Sequence, residues 1–173
     1  MRLNLGAGDW RPDGWVTVDV EDADVRHDLA VTPWPFADGA ADAILASHIL
    51  EHVTRDQAAR FLAECARVLA PGGVLAIAVP DMDRFIDARL AGDDTPLDGY
   101  VWTNLNWLLG GGPMESRPHW RHQYMWCWGS LAWACQVAGL APRRATFDDS
   151  AAPHQPAYRA ISLYVDATKG GGR

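Results

Sequence analysis

Short apolar runs alternate along this chain with segments whose apolar residues recur at helical spacing. The runs at 3–5, 16–20, 25–26, 41–46, 74–79, 144–147 and 161–165 are typical of strands. Between the fourth and fifth runs, residues 54–69 place six apolar side chains on one helical face, and Thr54 with Gln57 forms a capping-box pattern. A second helix is expected over 130–138, ending at Gly139. This alternation predicts an α/β protein with a largely parallel sheet.

Length and composition narrow the class of protein. The 173 residues fit a single domain over 1–173, and 49% apolar content is enough for a sizeable core. A net charge of −7 argues against a nucleic-acid partner, and no apolar run is long enough to span a membrane. The three unevenly spaced cysteines and the lack of a signal-peptide pattern predict a soluble, cytoplasmic protein without disulfides.

A glycine-rich turn follows the first strand, in the sequence Leu3-Asn4-Leu5-Gly6-Ala7-Gly8. Parallel sheets bind ligands at the carboxyl ends of their strands, and Asp19 at the end of the second strand could accept hydrogen bonds from both ribose hydroxyls. A glycine-rich turn after a strand, taken alone, is about as often an ordinary turn as a ligand-binding loop. Asp19 lies too close to Gly8 for a crossover helix to fit between them, so a dinucleotide such as NAD is not expected.

Five motifs in order resemble the class I S-adenosylmethionine-dependent methyltransferases. They are LNLGAG at 3–8, GWVTVD at 14–19, Asp28-Leu29, SHILEHV at 47–53 and VLAPGGVL at 68–75. The resemblance runs from residue 3 to about 85 and is thin beyond that point. It implies a Rossmann-like, mostly parallel seven-stranded sheet with one antiparallel strand, here with a shortened first crossover and without the family's N-terminal helices.

The resemblance also implies a set of cofactor-binding residues for S-adenosylmethionine and its product S-adenosylhomocysteine. Gly6, Ala7 and Gly8 would line the methionyl part, with Asn4 or Arg2 near its carboxylate and Trp10 as a lid. The ribose, adenine and pocket-closing positions would be Asp19 with Val20, Asp28 with Leu29, and Ser47 with His48.

The segment 48–52 also spells H-x-x-E-H, the inverted zinc-protease motif, with two histidines at i and i+4. A zinc site there would need a third ligand and a hydrolase cleft, whereas the segment starts where the methyltransferase pattern places it. No metal is therefore expected. A simpler interpretation is that Glu51 and His52 only cap and hydrogen-bond the exit of the fourth strand.

The acceptor side is expected between the fifth strand and the second helix, where 91–128 is long for a connection and suggests a lid or substrate-binding insertion with a short helix near 101–109. His122, and after it His119, are the candidates for a catalytic general base, although most loop histidines are not catalytic. Six of the nine tryptophans fall at 102–133, which predicts aromatic pocket walls or, equally, core packing.

The function expected is methyl transfer to a small molecule, with O-methylation of a hydroxylated metabolite or sugar favoured. The alternatives are a non-catalytic S-adenosylmethionine-binding module or subunit, and non-methylating chemistry on the same fold. Exposed aromatic residues make a homodimer plausible.

Overall fold

A computed structural model describes residues 1–92 and 121–171 of the chain, and seven strands form one twisted sheet within them. The strands are β1 (Arg2–Leu5), β2 (Val16–Asp19), β3 (Val25–Arg26), β4 (Ala41–Ser47), β5 (Leu69–Pro80), β6 (Leu140–Ala145) and β7 (Ser162–Lys169). Their order is β3-β2-β1-β4-β5-β7-β6. The first five strands run parallel, and β7 is antiparallel to both of its neighbours. This confirms the predicted fold class and brings the carboxyl ends of β1, β2, β4 and β5 to one edge.

Three helices and two single turns of 3-10 helix accompany the sheet in the described residues. The helices are α1 (Arg55–Val68), α2 (Met82–Leu90) and α3 (Trp128–Val137), and the turns are Leu50–His52 and Pro156–Tyr158. The predicted capping box is present: the Thr54 hydroxyl accepts from the Gln57 backbone N–H, and Gln57 Oε1 accepts from the Thr54 N–H. The buried face of α1 is Ala58, Phe61, Leu62, Glu64, Cys65 and Val68, which packs on the sheet core.

The first crossover contains no helix, as the spacing predicts. Residues 6–15 between β1 and β2 are turns and irregular backbone, starting with a hydrogen bond of 2.8 Å from the Gly6 N–H to the Val18 carbonyl. No helix N-terminus therefore faces this edge from the first connection, and the loop's own amides take that position.

The middle of the chain differs from the sequence prediction at two elements. Strand β5 does not begin after Pro71-Gly72-Gly73 but at Leu69, directly after α1, because Leu69 pairs with Ala41 across an irregularity in the β4–β5 register. The Pro71-Gly72-Gly73 segment therefore lies inside the strand. Helix α2 has no predicted counterpart, because its nine residues are too few to show a clear helical period in the sequence.

The C-terminal elements are shifted relative to their predicted bounds. Strand β6 starts at Leu140 rather than 144, because it is an edge strand where Pro142 is tolerated and polar residues face solvent. Helix α3 starts at Trp128, two residues before the predicted start at 130. Cys127 is the N-cap, and its backbone N–H donates to the hydroxyl of Ser130, the third residue of the helix. The predicted helix at 101–109 lies outside the described residues, as does most of the predicted insertion 91–128.

All three cysteines are free thiols, as predicted from their spacing. Burial raises the pKa of the Cys135 thiol to about 12, so it stays protonated and acts as a small core residue. Within residues 1–92 and 121–171, no helix is long and apolar enough to cross a membrane. The cytoplasmic location stays a prediction.

Candidate functional site

The glycine-rich loop and Asp19 meet at the carboxyl edge of the sheet. Gly6 and Gly8 both have left-handed backbone, with φ of 62° and 49°, a conformation that glycine adopts without steric cost. The Gly8 N–H donates to Asp19 Oδ2 at 2.9 Å, and the Val20 N–H donates to Asp19 Oδ1 at 2.7 Å. The two adjacent strand ends are thereby joined through one carboxylate.

Asp19 retains acceptor capacity after these two bonds. An ionised carboxylate offers about four lone-pair positions, so two remain for further donors. Its residue is only partly buried, and the neighbouring Val20 side chain is 61% exposed. The site therefore fits a ligand carrying two adjacent hydroxyls, as the ribose of S-adenosylmethionine does.

The two residues predicted to lie beside the adenine are held by local hydrogen bonds. Asp28 Oδ1 accepts from the Ala30 N–H at 2.9 Å, and Leu29 is 8% exposed. The Leu29 carbonyl accepts from the Trp34 indole at 3.1 Å, which fixes this segment against the core. Both predicted residues follow β3, the strand next to Asp19.

Three residues expected near the methionyl part are held by other contacts. Asn4 is 2% exposed and its amide donates to the Trp10 carbonyl at 2.7 Å, so its side chain braces the loop from beneath. The Trp10 indole donates to the Pro153 carbonyl at 2.9 Å, which ties the loop to the segment before β7. Arg2 lies at the start of β1 and its guanidinium stacks 5.6 Å from the Trp15 ring, away from the carboxyl edge.

The exit of β4 is the most constrained part of the site. His48 has φ of 55°, the only positive value for a non-glycine residue in the described part of the chain. Its ring stacks on Tyr158 with centroids 4.1 Å apart, and its Nε2 lies 2.7 Å from Ser162 Oγ. The preceding Ser47 has a buried hydroxyl without a hydrogen-bond partner among the described residues.

Behind His48 lies the buried carboxylate of Glu51, 1% exposed. Burial alone raises the pKa of this carboxyl, but His48, whose Nδ1 is 3.0 Å from Oε1, and His52 outweigh it and hold the pKa below its ordinary value. Glu51 is therefore a buried anion. The sequence offers Glu51 either as part of H-x-x-E-H or as a cap of the strand exit, and neither interpretation predicts a buried carboxylate beside two imidazoles.

The two candidate catalytic histidines have different outcomes. The His122 ring lies 5.0 Å from the His52 ring, so the structure brings it to the exit of β4. The backbone after it is fixed there, since the Gln123 N–H donates to the Glu51 carbonyl at 2.6 Å. His119 lies outside the described residues.

The described members of the tryptophan cluster divide between core and surface. Trp126 is 3% exposed and packs against Tyr124, whereas Trp133 on α3 is 55% exposed beside Arg55. Trp102, Trp107 and Trp120 lie outside the described residues. Aromatic walls for the acceptor stay a prediction.

The sequence matches a family described as "Methyltransferase domain" over residues 11–77. Among curated proteins it is 39% identical over 84 residues to a probable S-adenosylmethionine-dependent methyltransferase of Mycolicibacterium smegmatis, an alignment covering 48% of this chain and 30% of that protein. The chain therefore spans less than a third of the length of this relative.

Solved structures share the fold over nearly the whole chain. An O-methyltransferase family protein from Burkholderia thailandensis superposes with a TM-score of 0.64 at 15% identity, covering 99% of this chain and 51% of that one. The 1,6-didemethyltoxoflavin N1-methyltransferase of the same organism, with 1,6-didemethyltoxoflavin and S-adenosylhomocysteine bound, gives a TM-score of 0.59 at 17% identity, covering 98% and 70%. By sequence match and fold together, the resemblance of this chain to the class I S-adenosylmethionine-dependent methyltransferases is confirmed.

Proposed function

We propose that this chain catalyses methyl transfer from S-adenosylmethionine to a small-molecule acceptor. The observation that carries the proposal is the left-handed Gly6–Gly8 loop hydrogen-bonded to Asp19 at the carboxyl edge of β1 and β2. The matched family and the curated relative, both described as methyltransferases, support the same activity.

In this proposal, the chain's own residues bind and orient. Asp19 accepts hydrogen bonds from the two ribose hydroxyls, while Gly6, Ala7 and Gly8 let the backbone approach the methionyl part closely. Asp28 and Leu29 flank the adenine, and Ser47 with His48 forms the wall at the exit of β4. The cofactor supplies a methyl group on a sulfonium, open to in-line displacement, so positioning and exclusion of water provide most of the rate enhancement.

The acceptor we propose is a hydroxyl of a metabolite or sugar. The bound small molecule in the B. thailandensis N1-methyltransferase supports a small acceptor in general, and the acidic surface argues against nucleic acid. Where the hydroxyl arrives protonated, a base must take its proton. The assignment of that task to His122 or His119 stays a prediction.

Calorimetric titration with S-adenosylhomocysteine tests the cofactor site directly. We expect wild-type protein to bind it, and Asp19→Ala to bind at least 100-fold more weakly, because two hydrogen bonds to a charged acceptor contribute about 3 kcal/mol or more together. Asp13→Ala removes an exposed carboxylate and serves as the matched control, with unchanged binding expected.

Two outcomes would overturn the cofactor assignment: no heat of binding at millimolar ligand, or equal affinity in wild type and Asp19→Ala. Turnover is tested by incubating the protein with S-adenosylmethionine and a panel of hydroxylated acceptors, with mass spectrometry of the products. Cofactor binding without any methylated product would favour a binding module or subunit over an enzyme.

We also propose that the chain forms a homodimer, because the apolar ring of Trp133 is left largely in water on α3. Sedimentation equilibrium of wild type and Trp133→Ser tests this. A monomer of wild type at all concentrations rules it out.

A further inference from the structure

A cluster of one carboxylate and two imidazoles lies beside the cofactor loop. We propose that Glu51, His52 and His122 bind a divalent transition-metal ion of the zinc type. One potential ligand atom from each of the three residues lies within 4.8 Å of the other two. This departs from the expectation, drawn from the sequence, that no metal is bound.

The first support is that the Glu51 carboxylate is buried and lacks a well-aligned hydrogen-bond donor among the described residues. It is 1% exposed, and neither oxygen accepts a well-aligned hydrogen bond from any residue of 1–92 or 121–171. His48 approaches Oε1 at 3.0 Å, which leaves Oε2 without a described partner. A buried carboxylate oxygen that receives no hydrogen bond is a vacant ligand position, which a metal ion between it and the two imidazoles would fill.

The second support is how His52 and His122 face that carboxylate. His52 Nε2 lies 4.0 Å from Glu51 Oε1, and its side chain is 22% exposed. The chain after His122 is anchored to the Glu51 turn, because the Gln123 and Tyr124 N–H groups both donate to the Glu51 carbonyl. Two imidazoles from distant parts of the sequence, His52 and His122, thus lie beside one buried carboxylate.

The donor set selects the class of ion. Two imidazole nitrogens and one carboxylate oxygen suit zinc and its first-row neighbours rather than calcium or magnesium, which prefer all-oxygen ligands. Zinc bonds of about 2.0–2.2 Å place tetrahedral ligands about 3.4 Å apart. Ligand atoms that lie up to 4.8 Å apart must therefore approach one another by up to about 1.4 Å, which rotation of the two partly exposed imidazoles toward Glu51 would supply.

The site is not the one that the inverted zinc-protease motif describes. That motif needs both of its histidines on one helical face, but His48 has left-handed backbone and only Leu50–His52 forms a helical turn. His48 instead contacts Glu51 and Ser162, as an orienting neighbour of a ligand does. The second imidazole comes from His122, at the end of the long connection.

The position of the cluster suits an acceptor. Ile49, between His48 and the helical turn, packs so closely on Gly6 that a Cβ there would lie 2.3 Å from Ile49 Cδ1. The cluster therefore borders the loop assigned to the methyl donor. Three protein ligands leave one coordination position for an acceptor oxygen. The ion would lower the pKa of that oxygen, so His122 would then act as a ligand and not as the base. This catalytic role rests on the proposed function, whereas binding of the ion does not.

Metal titration of the chelator-treated full chain tests the site without S-adenosylmethionine. Zn²⁺ binding is measured by calorimetry, and Co²⁺ serves as a spectroscopic probe of tetrahedral coordination. We expect one ion per chain, a higher Tm with Zn²⁺, and at least 100-fold weaker binding in His122→Ala and His52→Ala. His27→Ala removes an imidazole outside the cluster and should bind as wild type does.

Several results would overturn the site. They are a stoichiometry well below one ion in wild type, equal affinity in wild type and His122→Ala, or Co²⁺ spectra without tetrahedral bands. His122 and His52 are partly exposed, so their variants should fold, and circular dichroism checks this even if Glu51→Gln does not fold. Failure of S-adenosylhomocysteine to bind while Zn²⁺ binds would refute the proposed function and leave the metal site standing.

Discussion

The buried imidazole of His154 makes the stability of this fold depend on pH in a way that can be calculated. His154 is 3% exposed, and its Nε2 lies 2.8 Å from Ser150 Oγ. The Ser150 hydroxyl donates its single proton to Asp166, so it must accept from His154, whose Nε2 therefore carries the proton. Nδ1 is buried without a hydrogen-bond partner among the described residues. A second proton at Nδ1 would be a buried, unsatisfied donor.

Burial lowers the pKa of His154 to about 4 from its ordinary 6.5, and the nearby Asp166, which acts in the opposite direction, does not offset this. The unfolded chain then takes up a proton below pH 6.5, whereas the folded chain does so only near pH 4. The effect of His154 on the free energy of unfolding is therefore absent well above pH 6.5. The free energy of unfolding then falls as the pH drops from 6.5 toward 4. At 1.36 kcal/mol per pKa unit, the loss is about 3 kcal/mol.

The perturbation is His154→Gln, which keeps an N–H near the position of Nε2 and does not titrate. Urea unfolding followed by tryptophan fluorescence at pH 7, 6, 5 and 4 gives the free energy of unfolding for each protein. We expect wild type to lose about 3 kcal/mol more than His154→Gln between pH 7 and 4. His27→Gln, which removes a histidine bonded to the Val31 carbonyl near the surface, should follow the wild-type curve. Parallel curves for wild type and His154→Gln, within 1 kcal/mol of each other, would refute the reasoning.

Three further substitutions test the fold and the cofactor loop. Gly6→Ala should lower the free energy of unfolding in urea melts by more than Gly8→Ala does. Both glycines have positive φ, but only at Gly6 would a Cβ collide with the Ile49 side chain. Equal losses in the two variants would contradict this. Thr54→Ala should cost about 1 kcal/mol by removing one half of the capping box of α1, and an unchanged urea midpoint would argue against that cap. Phe61→Ala should cost about 3–5 kcal/mol, because its side chain is fully buried between α1 and the sheet; a loss below 1 kcal/mol would contradict the packing.

The sequence predicts the parallel half of this sheet well because local signals and tertiary structure agree there. Strands β1, β2 and β4 are short apolar runs bounded by turns, and the capping box marks the start of α1. The antiparallel half is harder to predict. Nothing local shows that β7 inserts between β5 and β6, because strand order is set by which faces can be buried together.

The candidate site divides in the same way. The contact of Asp19 with the glycine loop could be predicted, because it depends on a strand end and a nearby glycine turn, both visible in sequence. The approach of His122 to Glu51 could not, because it depends on the path of a long connection between β5 and α3. The contact of His48 with Ser162 of β7 joins residues 114 positions apart, so no spacing rule indicates it.

The left-handed backbone of His48 has a consequence for how this sequence could be improved. A non-glycine residue in that conformation costs about 1 kcal/mol, which a glycine would avoid. His48→Gly would remove this strain, but it would also remove the ring that contacts Glu51, Ser162 and Tyr158. Removing one partner of a buried ion pair costs about 3–5 kcal/mol, so exchange for glycine, the usual remedy for left-handed strain, does not stabilise the fold at this position.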